Sequence, residues 1–191
     1  TMKTKTMFRK HLYKMCRNIA LFPSAHLINR YKKNGLLEIG RGSYGQPIID
    51  QYRGSESKVT IGKYTSIAPN VRIIAGGYHP TNTISQYPFR SQFDLPGRYE
   101  DGNPYSKGDV NIGSDVWIAT NVTILAGVTI GDGAIIGAGS LITGEIPPYA
   151  IANGVPATTK KFRFSQEQIN KLLRIRWWNW PQERILAKVS Q

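Results

Sequence analysis

Three histidines and one cysteine are the residues of this 191-residue chain best suited to proton transfer or nucleophilic attack. An imidazole is neutral near pH 7 and can accept a hydroxyl proton, so His79 is a candidate general base. His79 lies between Gly76-Gly77 and Asn82 in a long stretch without hydrophobic periodicity, and such loops commonly carry function. The alternative is a histidine that only packs or caps a turn before Pro80.

The other candidates, His11, His26 and Cys16, lie in a basic N-terminal segment. No base accompanies the Cys16 thiol there, so we expect a packed thiol and assign no chemistry to the two histidines. A single cysteine leaves no partner for an intrachain disulfide, which excludes a disulfide-stapled secreted fold. We predict no metal site.

The formal net charge of +13 is confined to the two ends of the chain. Residues 1–33 contain nine Lys or Arg and no acid, and residues 158–191 are also net basic, whereas the segment between them is slightly acidic. We therefore expect no nucleic-acid partner. The N-terminal segment either contacts an anionic membrane at its inner face or packs as a helix. Lys14 and Arg17 interrupt its apolar residues, so we expect a cytoplasmic protein without a signal peptide.

The strongest pattern is a six-residue repeat of isoleucine, followed four positions later by a small or β-branched residue. The isoleucines are Ile112, Ile118, Ile124, Ile130, Ile136 and Ile142, and the second series is Val116, Val122, Val128, Ala134 and Ser140. A period of six fits a short strand followed by a turn, repeated many times. In such a solenoid each coil covers the apolar side of the next, which predicts a continuous isoleucine core.

A weaker repeat upstream shows where the solenoid is interrupted. It runs through Ile61, Ile67 and Ile73, but Ile61 and Ile112 are 51 residues apart, which is not a multiple of six. An inserted loop over about 75–109, rich in Gly, Pro, Tyr, Asn and Ser, accounts for the lost register.

The C-terminal segment changes to a helical pattern. Ser165 and Gln168 have the spacing of a capping box, and Pro181 suits the first turn of a second helix. We expect the tryptophans of Trp177–Trp180 to form the core of these helices. The chain divides into a helical basic arm over 1–36, a repeat body over 37–157 and C-terminal helices over 158–191.

Together these motifs resemble the hexapeptide-repeat acyltransferases, in the branch of the xenobiotic (streptogramin and chloramphenicol) acetyltransferases and related sugar O-acetyltransferases. The resemblance rests on the isoleucine register, the loop Gly76–Asn82, the later Tyr87-Pro88-Phe89 and the ending Trp177–Pro181, and it covers about residues 39–185. It implies an all-β solenoid, a left-handed parallel β-helix with an inserted loop. It also implies a homotrimer with acetyl-CoA and a sugar or glycan acceptor meeting between subunits.

The resemblance assigns His79 as the catalytic base, which takes the acceptor proton and then protonates the departing CoA sulfur. The xenobiotic enzymes have Asn-His-Arg at this point, whereas Tyr78–Asn82 is more similar to acetyltransferases of surface polysaccharides or their precursors. Sugar O-acetylation is therefore the implied function. Antibiotic O-acetylation, N-acetylation of a nucleotide-linked aminosugar and an inactive scaffold are the alternatives. Asp94, Glu100 and a backbone carbonyl are all candidates for orienting His79.

The resemblance also implies binding residues. Tyr44 and Asn82 would contact the acceptor, small residues at two corners would let the pantetheine lie along the backbone, and basic residues would pair with the nucleotide phosphates. The implied acetyl-CoA residues are Trp117, Ala119, Thr120, Gly137, Ala138, Lys160, Lys161 and Arg163. Corner geometry, packing and a solvated basic patch are the alternative explanations of the same residues.

Overall fold

A computed structural model describes residues 25–189 of the chain. Most of the predicted basic arm, with His11 and Cys16, lies outside these residues, and so does any membrane contact of that segment. The last part of the arm forms helix α1 (Ala25–Lys33). Ile28 and Tyr31 on this helix are buried in the main hydrophobic core, so this part of the arm packs against the body.

Short strands form three sheets around that core. Sheet A contains β1 (Leu37–Ile39), β3 (Val59–Ile61), β6 (Val110–Ile112) and β9 (Thr129–Ile130). Sheet B contains β4 (Ser66–Ile67), β7 (Trp117–Ile118), β10 (Ile135–Ile136), β12 (Ala150–Gly154) and β13 (Ala157–Phe162). Sheet C contains β2 (Ile48–Asp50), β5 (Arg72–Ile74), β8 (Thr123–Leu125) and β11 (Leu141–Ile142). The chain passes from A to B to C and back, which makes a parallel β-helix and fits the expected left-handed form.

The pairing register stacks the isoleucines of successive coils on one another. Ile61 pairs with Ile112 in sheet A, and Ile118 pairs with Ile136 in sheet B. All six isoleucines of the repeat are at most 2% exposed. Burial of one such side chain stabilises a fold by about 1.5–3 kcal/mol relative to exposure. The predicted isoleucine core is confirmed, with one six-residue unit on each side of the coil.

The corner between sheets A and B admits only glycine because successive coils touch there. A Cβ atom on Gly62 would lie 2.5 Å from the carbonyl carbon of Gly113, and one on Gly40 would lie 2.6 Å from that of Gly62. None of these three glycines has a positive φ. Close approach of the backbones, rather than backbone conformation, therefore requires the glycine after each isoleucine of sheet A.

A second corner rule was not apparent in the sequence. At most coil corners the third residue after the inward-facing isoleucine has a φ between 56° and 80°, a conformation that Gly, Asn and Asp tolerate best, whereas the residues three after Ile49, Ile73 and Ile142 do not have it. The residues with this backbone are Gly42, Tyr64, Asn70, Asp115, Asn121, Gly127, Gly133, Gly139 and Tyr149. Seven of these nine positions are Gly, Asn or Asp, and the exceptions are Tyr64 and Tyr149.

A short helix α2 (Phe89–Gln92) lies in the long insertion. The C-terminal segment forms helix α3 (Gln166–Ile175), a 3₁₀ turn (Trp177–Asn179) and helix α4 (Gln182–Val189). The expected capping box begins α3, since the Ser165 hydroxyl accepts from the Gln168 amide and the Gln168 side chain accepts from the Ser165 amide. None of the helices in residues 25–189 combines the length and the apolar character needed to cross a bilayer.

The tryptophan cluster packs onto the β-helix as well as among the terminal helices. The Trp177 and Tyr64 ring centroids are 5.3 Å apart, and Lys63 Nζ donates to Asn179 Oδ1 at 2.8 Å. Trp178 is buried. Our expectation that these aromatics form only the core of the terminal helices was therefore incomplete, because they also attach the helices to the corner between sheets A and B.

We predict that Gly62→Ala lowers the free energy of unfolding by about 1–3 kcal/mol, because the new Cβ would overlap the backbone of the next coil. Urea denaturation followed by circular dichroism measures the change. Gly144→Ala is the matched control, since a Cβ there meets no atom within 4 Å and its φ is not positive. We expect the control to change stability by less than about 0.5 kcal/mol. Equal stability of the two variants would contradict the close-approach argument.

Candidate active site

His79 lies at the base of the long insertion, which leaves the β-helix after β5 in sheet C and returns at β6 in sheet A. Tyr78 and Tyr105 exchange two backbone hydrogen bonds of 3.0 and 2.9 Å, so the base of the insertion is a short antiparallel ribbon. The Ser106 hydroxyl donates to the Ala75 carbonyl at 3.1 Å and ties the ribbon to the β-helix. His79 is therefore held next to a fixed backbone while its side chain is exposed to solvent.

A backbone carbonyl orients the imidazole. His79 Nδ1 lies 2.6 Å from the carbonyl oxygen of Gln86. Because a carbonyl can only accept a hydrogen bond, Nδ1 carries the proton in the neutral ring and Nε2 keeps its lone pair. Of the three candidates that the sequence left open, the structure selects the carbonyl, and Asp94 is paired with Arg98 instead. The ring thus has the tautomer that a base acting through Nε2 requires.

The side chain of Gln86 fixes the position of its own carbonyl. Gln86 Nε2 donates to the Pro80 carbonyl at 2.8 Å, and the Thr83 hydroxyl lies 3.1 Å from the same oxygen. Residues 80–86 therefore form a closed loop that places the Gln86 carbonyl beside His79. Sequence reasoning missed Gln86, since a glutamine in a polar loop belongs to no repeat or motif.

The two predicted acceptor residues lie on different parts of the molecule. Asn82 is exposed in the same short loop as His79. Tyr44 forms a parallel bridge to Ser66 in sheet B, and Ser66 pairs with Trp117. Tyr44 and Trp117 thus share an outward column about 10 Å apart and are 67% and 53% exposed. A single chain does not bring Tyr44 to the loop that carries His79.

The four small residues predicted to line the pantetheine do come together. Ile118 pairs with Ile136, which places Ala119 above Gly137 in the next coil. The Gly139 amide donates to the Thr120 carbonyl at 3.0 Å, and the neighbouring Ala138 is exposed. These residues form one patch, which we call the B–C corner patch: Ala119, Thr120, Gly137 and Ala138. The patch lies where the chain enters the strands of sheet C, whereas the insertion begins where the chain leaves them.

The three predicted phosphate contacts differ in their surroundings. Lys161 continues the outward column of Trp117 through Ile135 and Ile151, and Lys160 is exposed beside it. Arg163 instead points towards the corner between sheets A and B. Its guanidinium donates to the Gly133 carbonyl at 2.7 Å and pairs with Asp115 at 3.3 Å. The structure therefore favours a structural contact for Arg163.

The surroundings of Arg163 are buried enough to change the pKa of neighbouring groups. Burial raises the pKa of Asp115, and the Arg163 charge beside it opposes part of that rise. Burial, together with the Asp115 charge, raises the pKa of Tyr149 to about 12. The Arg163 guanidinium also lies 5.4 Å from the centre of the Tyr149 ring. This cluster holds the β12–β13 end of the molecule together.

No group of three or more His, Cys, Asp or Glu side chains within residues 25–189 has the arrangement of a metal site.

Residues 109–144 match the protein-family model described as bacterial transferase hexapeptide, with six repeats. This segment is similar to the bacterial transferase hexapeptide repeat. The predicted resemblance to hexapeptide-repeat acyltransferases is confirmed for these residues, which include β6 to β11.

Two curated relatives match the chain over a short segment. A chloramphenicol acetyltransferase of Morganella morganii is 49% identical over 45 residues, which are 24% of this chain and 21% of that protein. A probable macrolide acetyltransferase of Lysinibacillus sphaericus is 45% identical over 49 residues, 26% of this chain and 27% of that protein. The chain therefore matches about a fifth to a quarter of the length of these relatives.

Solved structures align over more of the chain. A maltose O-acetyltransferase from Clostridium difficile 630 aligns with a TM-score of 0.49 and 27% identity, covering 82% of this chain and 87% of that one.

We predict that His79 is found as a single neutral tautomer in alkaline solution, where imidazole side chains are uncharged. Nitrogen-15 NMR of the imidazole distinguishes a protonated from an unprotonated ring nitrogen. The expected spectrum has Nδ1 protonated and Nε2 unprotonated, because the Gln86 carbonyl accepts from Nδ1. A protonated Nε2, or a mixture of both tautomers, would contradict the orientation described.

Proposed function

We propose that this protein is an acetyl-CoA-dependent O-acetyltransferase that acts on a sugar hydroxyl of a surface polysaccharide or its precursor. The observation that carries the proposal is the 2.6 Å contact between His79 Nδ1 and the Gln86 carbonyl, which leaves Nε2 free as a base in an exposed loop. The relatives named as chloramphenicol and macrolide acetyltransferases support acetyl transfer as the reaction class.

His79 acts twice in the proposed reaction. Nε2 accepts the proton of the acceptor hydroxyl while that oxygen attacks the thioester carbonyl of acetyl-CoA. The imidazolium then returns the proton to the CoA sulfur as the carbon–sulfur bond breaks, so the products are the acetyl ester and the free thiol. The Gln86 carbonyl accepts from Nδ1 throughout and stabilises the transient positive charge. A positioned base of this kind accelerates a reaction by roughly 10²- to 10⁴-fold.

We also propose that the site is shared between subunits of a homotrimer. His79 and the B–C corner patch lie at opposite ends of sheet C, so one chain holds the base and the small-residue patch apart. A neighbouring copy would bring its patch to the His79 loop. In this arrangement Trp117 forms a wall of the cleft, Lys160 and Lys161 contact the nucleotide phosphates, and Arg163 stays with Asp115.

The outward faces of the sheets support an assembly of this kind. The outward residues of sheet A are polar: Glu38, Thr60, Asn111 and Thr129. Sheet C carries an Arg72–Asp50 ion pair among half-buried apolar residues: Ile48, Ile74, Leu125 and Leu141. Since outward apolar side chains gain from cover, sheet C suits a subunit contact better than sheet A.

Antibiotic O-acetylation is the second candidate, and the names of the curated relatives favour it. The residues after His79 are Pro80 and Thr81 rather than the arginine of the xenobiotic pattern, which favours the sugar acceptor. Comparing saccharides, aminosugars, chloramphenicol and a streptogramin as acceptors separates the candidates. A chain that binds no CoA would instead be an inactive scaffold.

We predict that His79→Ala lowers kcat by roughly 10²- to 10⁴-fold, because the variant lacks the base that accepts the hydroxyl proton. The measurement is CoA thiol release from acetyl-CoA with each acceptor of the panel. His26→Ala is the matched control and should keep wild-type activity. CoA binding and oligomer size should be unchanged in both variants. Full activity of His79→Ala would overturn the proposed role.

A further inference from the structure

A groove of about 710 Å³ lies beside the insertion that carries His79. One wall is formed by Arg53, Gly54 and Glu56, in the short connection between β2 and β3. The other wall is residues 94–100 of the long insertion. The two connections meet where a Cβ atom on Gly54 would lie 2.6 Å from Cβ of Tyr99. The β2–β3 connection and the long insertion therefore form one cavity together.

Ser55 connects the wall of the groove to the segment that carries His79. Ser55 Oγ, between two groove residues, accepts a hydrogen bond from the Gly77 amide at 3.1 Å. A Cβ on Gly76 would lie only 2.4 Å from the Ser55 carbonyl oxygen, so the two backbones are in close contact. Gly77 is two residues from His79, a span of at most about 7 Å. The connection that forms one wall of the groove therefore also contacts the segment that leads into His79.

One cation in the groove has no anionic partner. Arg98 is paired with Asp94, and Glu56 accepts from the Gly54 amide at 2.9 Å. Within residues 25–189, no carboxylate oxygen lies within 4.0 Å of the Arg53 guanidinium, which lies 5.0 Å from the centre of the Tyr99 ring. The aromatic contact holds the guanidinium at the wall, and its planar set of N–H donors matches the oxygens of a carboxylate or phosphate.

We infer that this groove binds an anionic group, a carboxylate or a phosphate, on the sugar acceptor, and that Arg53 is the residue that selects it. The inference rests on the proposed function, because it names the acceptor class of the same site. Charge-assisted hydrogen bonds from a guanidinium are stronger than those from neutral donors, so Arg53 would favour an acidic sugar over a neutral one. Glu56 and Glu100 line the same groove, so Arg53 must outweigh their charges for an anion to be preferred, and the Glu100 carboxylate can accept hydrogen bonds from sugar hydroxyl groups.

The test compares galactose, galacturonate and galactose 6-phosphate, which share one ring and differ in the anionic group. Ligand-detected NMR titrations measure binding to wild type, Arg53→Gln and Lys171→Gln. Lys171 lies on α3 and is paired with Glu167, so its variant loses the same charge away from the groove. We expect wild type and Lys171→Gln to bind at least one anionic sugar roughly tenfold more tightly than galactose. Arg53→Gln should lose that preference.

Equal binding of the three sugars by wild type, or an unchanged preference in Arg53→Gln, would overturn the inference. A preference for only one anion identifies whether a carboxylate or a phosphate is the recognised group. Arg53→Lys keeps the charge without the planar fork and should retain part of the preference.

The same titrations need neither acetyl-CoA nor His79, so they separate this inference from the proposed reaction. Anion-selective binding by His79→Ala together with no acetyl transfer by wild type would contradict the reaction and leave the groove assignment intact. Acetyl transfer with no dependence on Arg53 for acidic acceptors would contradict only the groove assignment.

Discussion

The rest of the structure depends on the close stacking of successive coils at the corner between sheets A and B. A Cβ on Gly62 would lie 2.5 Å from the backbone of Gly113, so these coils are in direct backbone contact. That contact sets the pairing register, and the register places every isoleucine of the repeat in the core. The longer connections, between β2 and β3 and between β5 and β6, occur at a different corner, between sheets C and A. A rigid body thereby presents two variable connections at one edge.

The proposed chemistry follows from that arrangement. The ribbon formed by Tyr78 and Tyr105 carries the rigidity of the body into the insertion, and the closed loop after His79 returns the Gln86 carbonyl to Nδ1. The base is then fixed by backbone atoms rather than by a carboxylate. The shorter connection supplies the support under Gly77 and the wall that carries Arg53. In this account one edge of each subunit contains the base and the acceptor groove, and the B–C corner patch of a neighbouring subunit binds acetyl-CoA.

The repeat was predictable from the sequence because a six-residue period has one physical explanation, and His79 was predictable from its residue type and its place in the insertion. The partner of His79 was not predictable, because any residue offers a backbone carbonyl. Arg163 was predicted among the phosphate contacts from its neighbourhood in the sequence, whereas its ion pair is with Asp115, 48 residues away. The positive φ three residues after most of the inward-facing isoleucines and the apolar outward face of sheet C also depend on how coils stack. Periodicity alone specifies which residues point inward and says little about the corners and the outer faces.

The central claim is that His79 of one subunit works with the corner patch of another, and subunit complementation tests it most directly. His79→Ala removes the base, and Ala138→Trp blocks the exposed patch with a large side chain. Each variant alone should be inactive in acetyl transfer. After the two are unfolded together and refolded as mixed trimers, every mixed trimer contains one site with an intact histidine and an intact patch, so activity should return. Mixed trimers without activity would contradict a site shared between subunits.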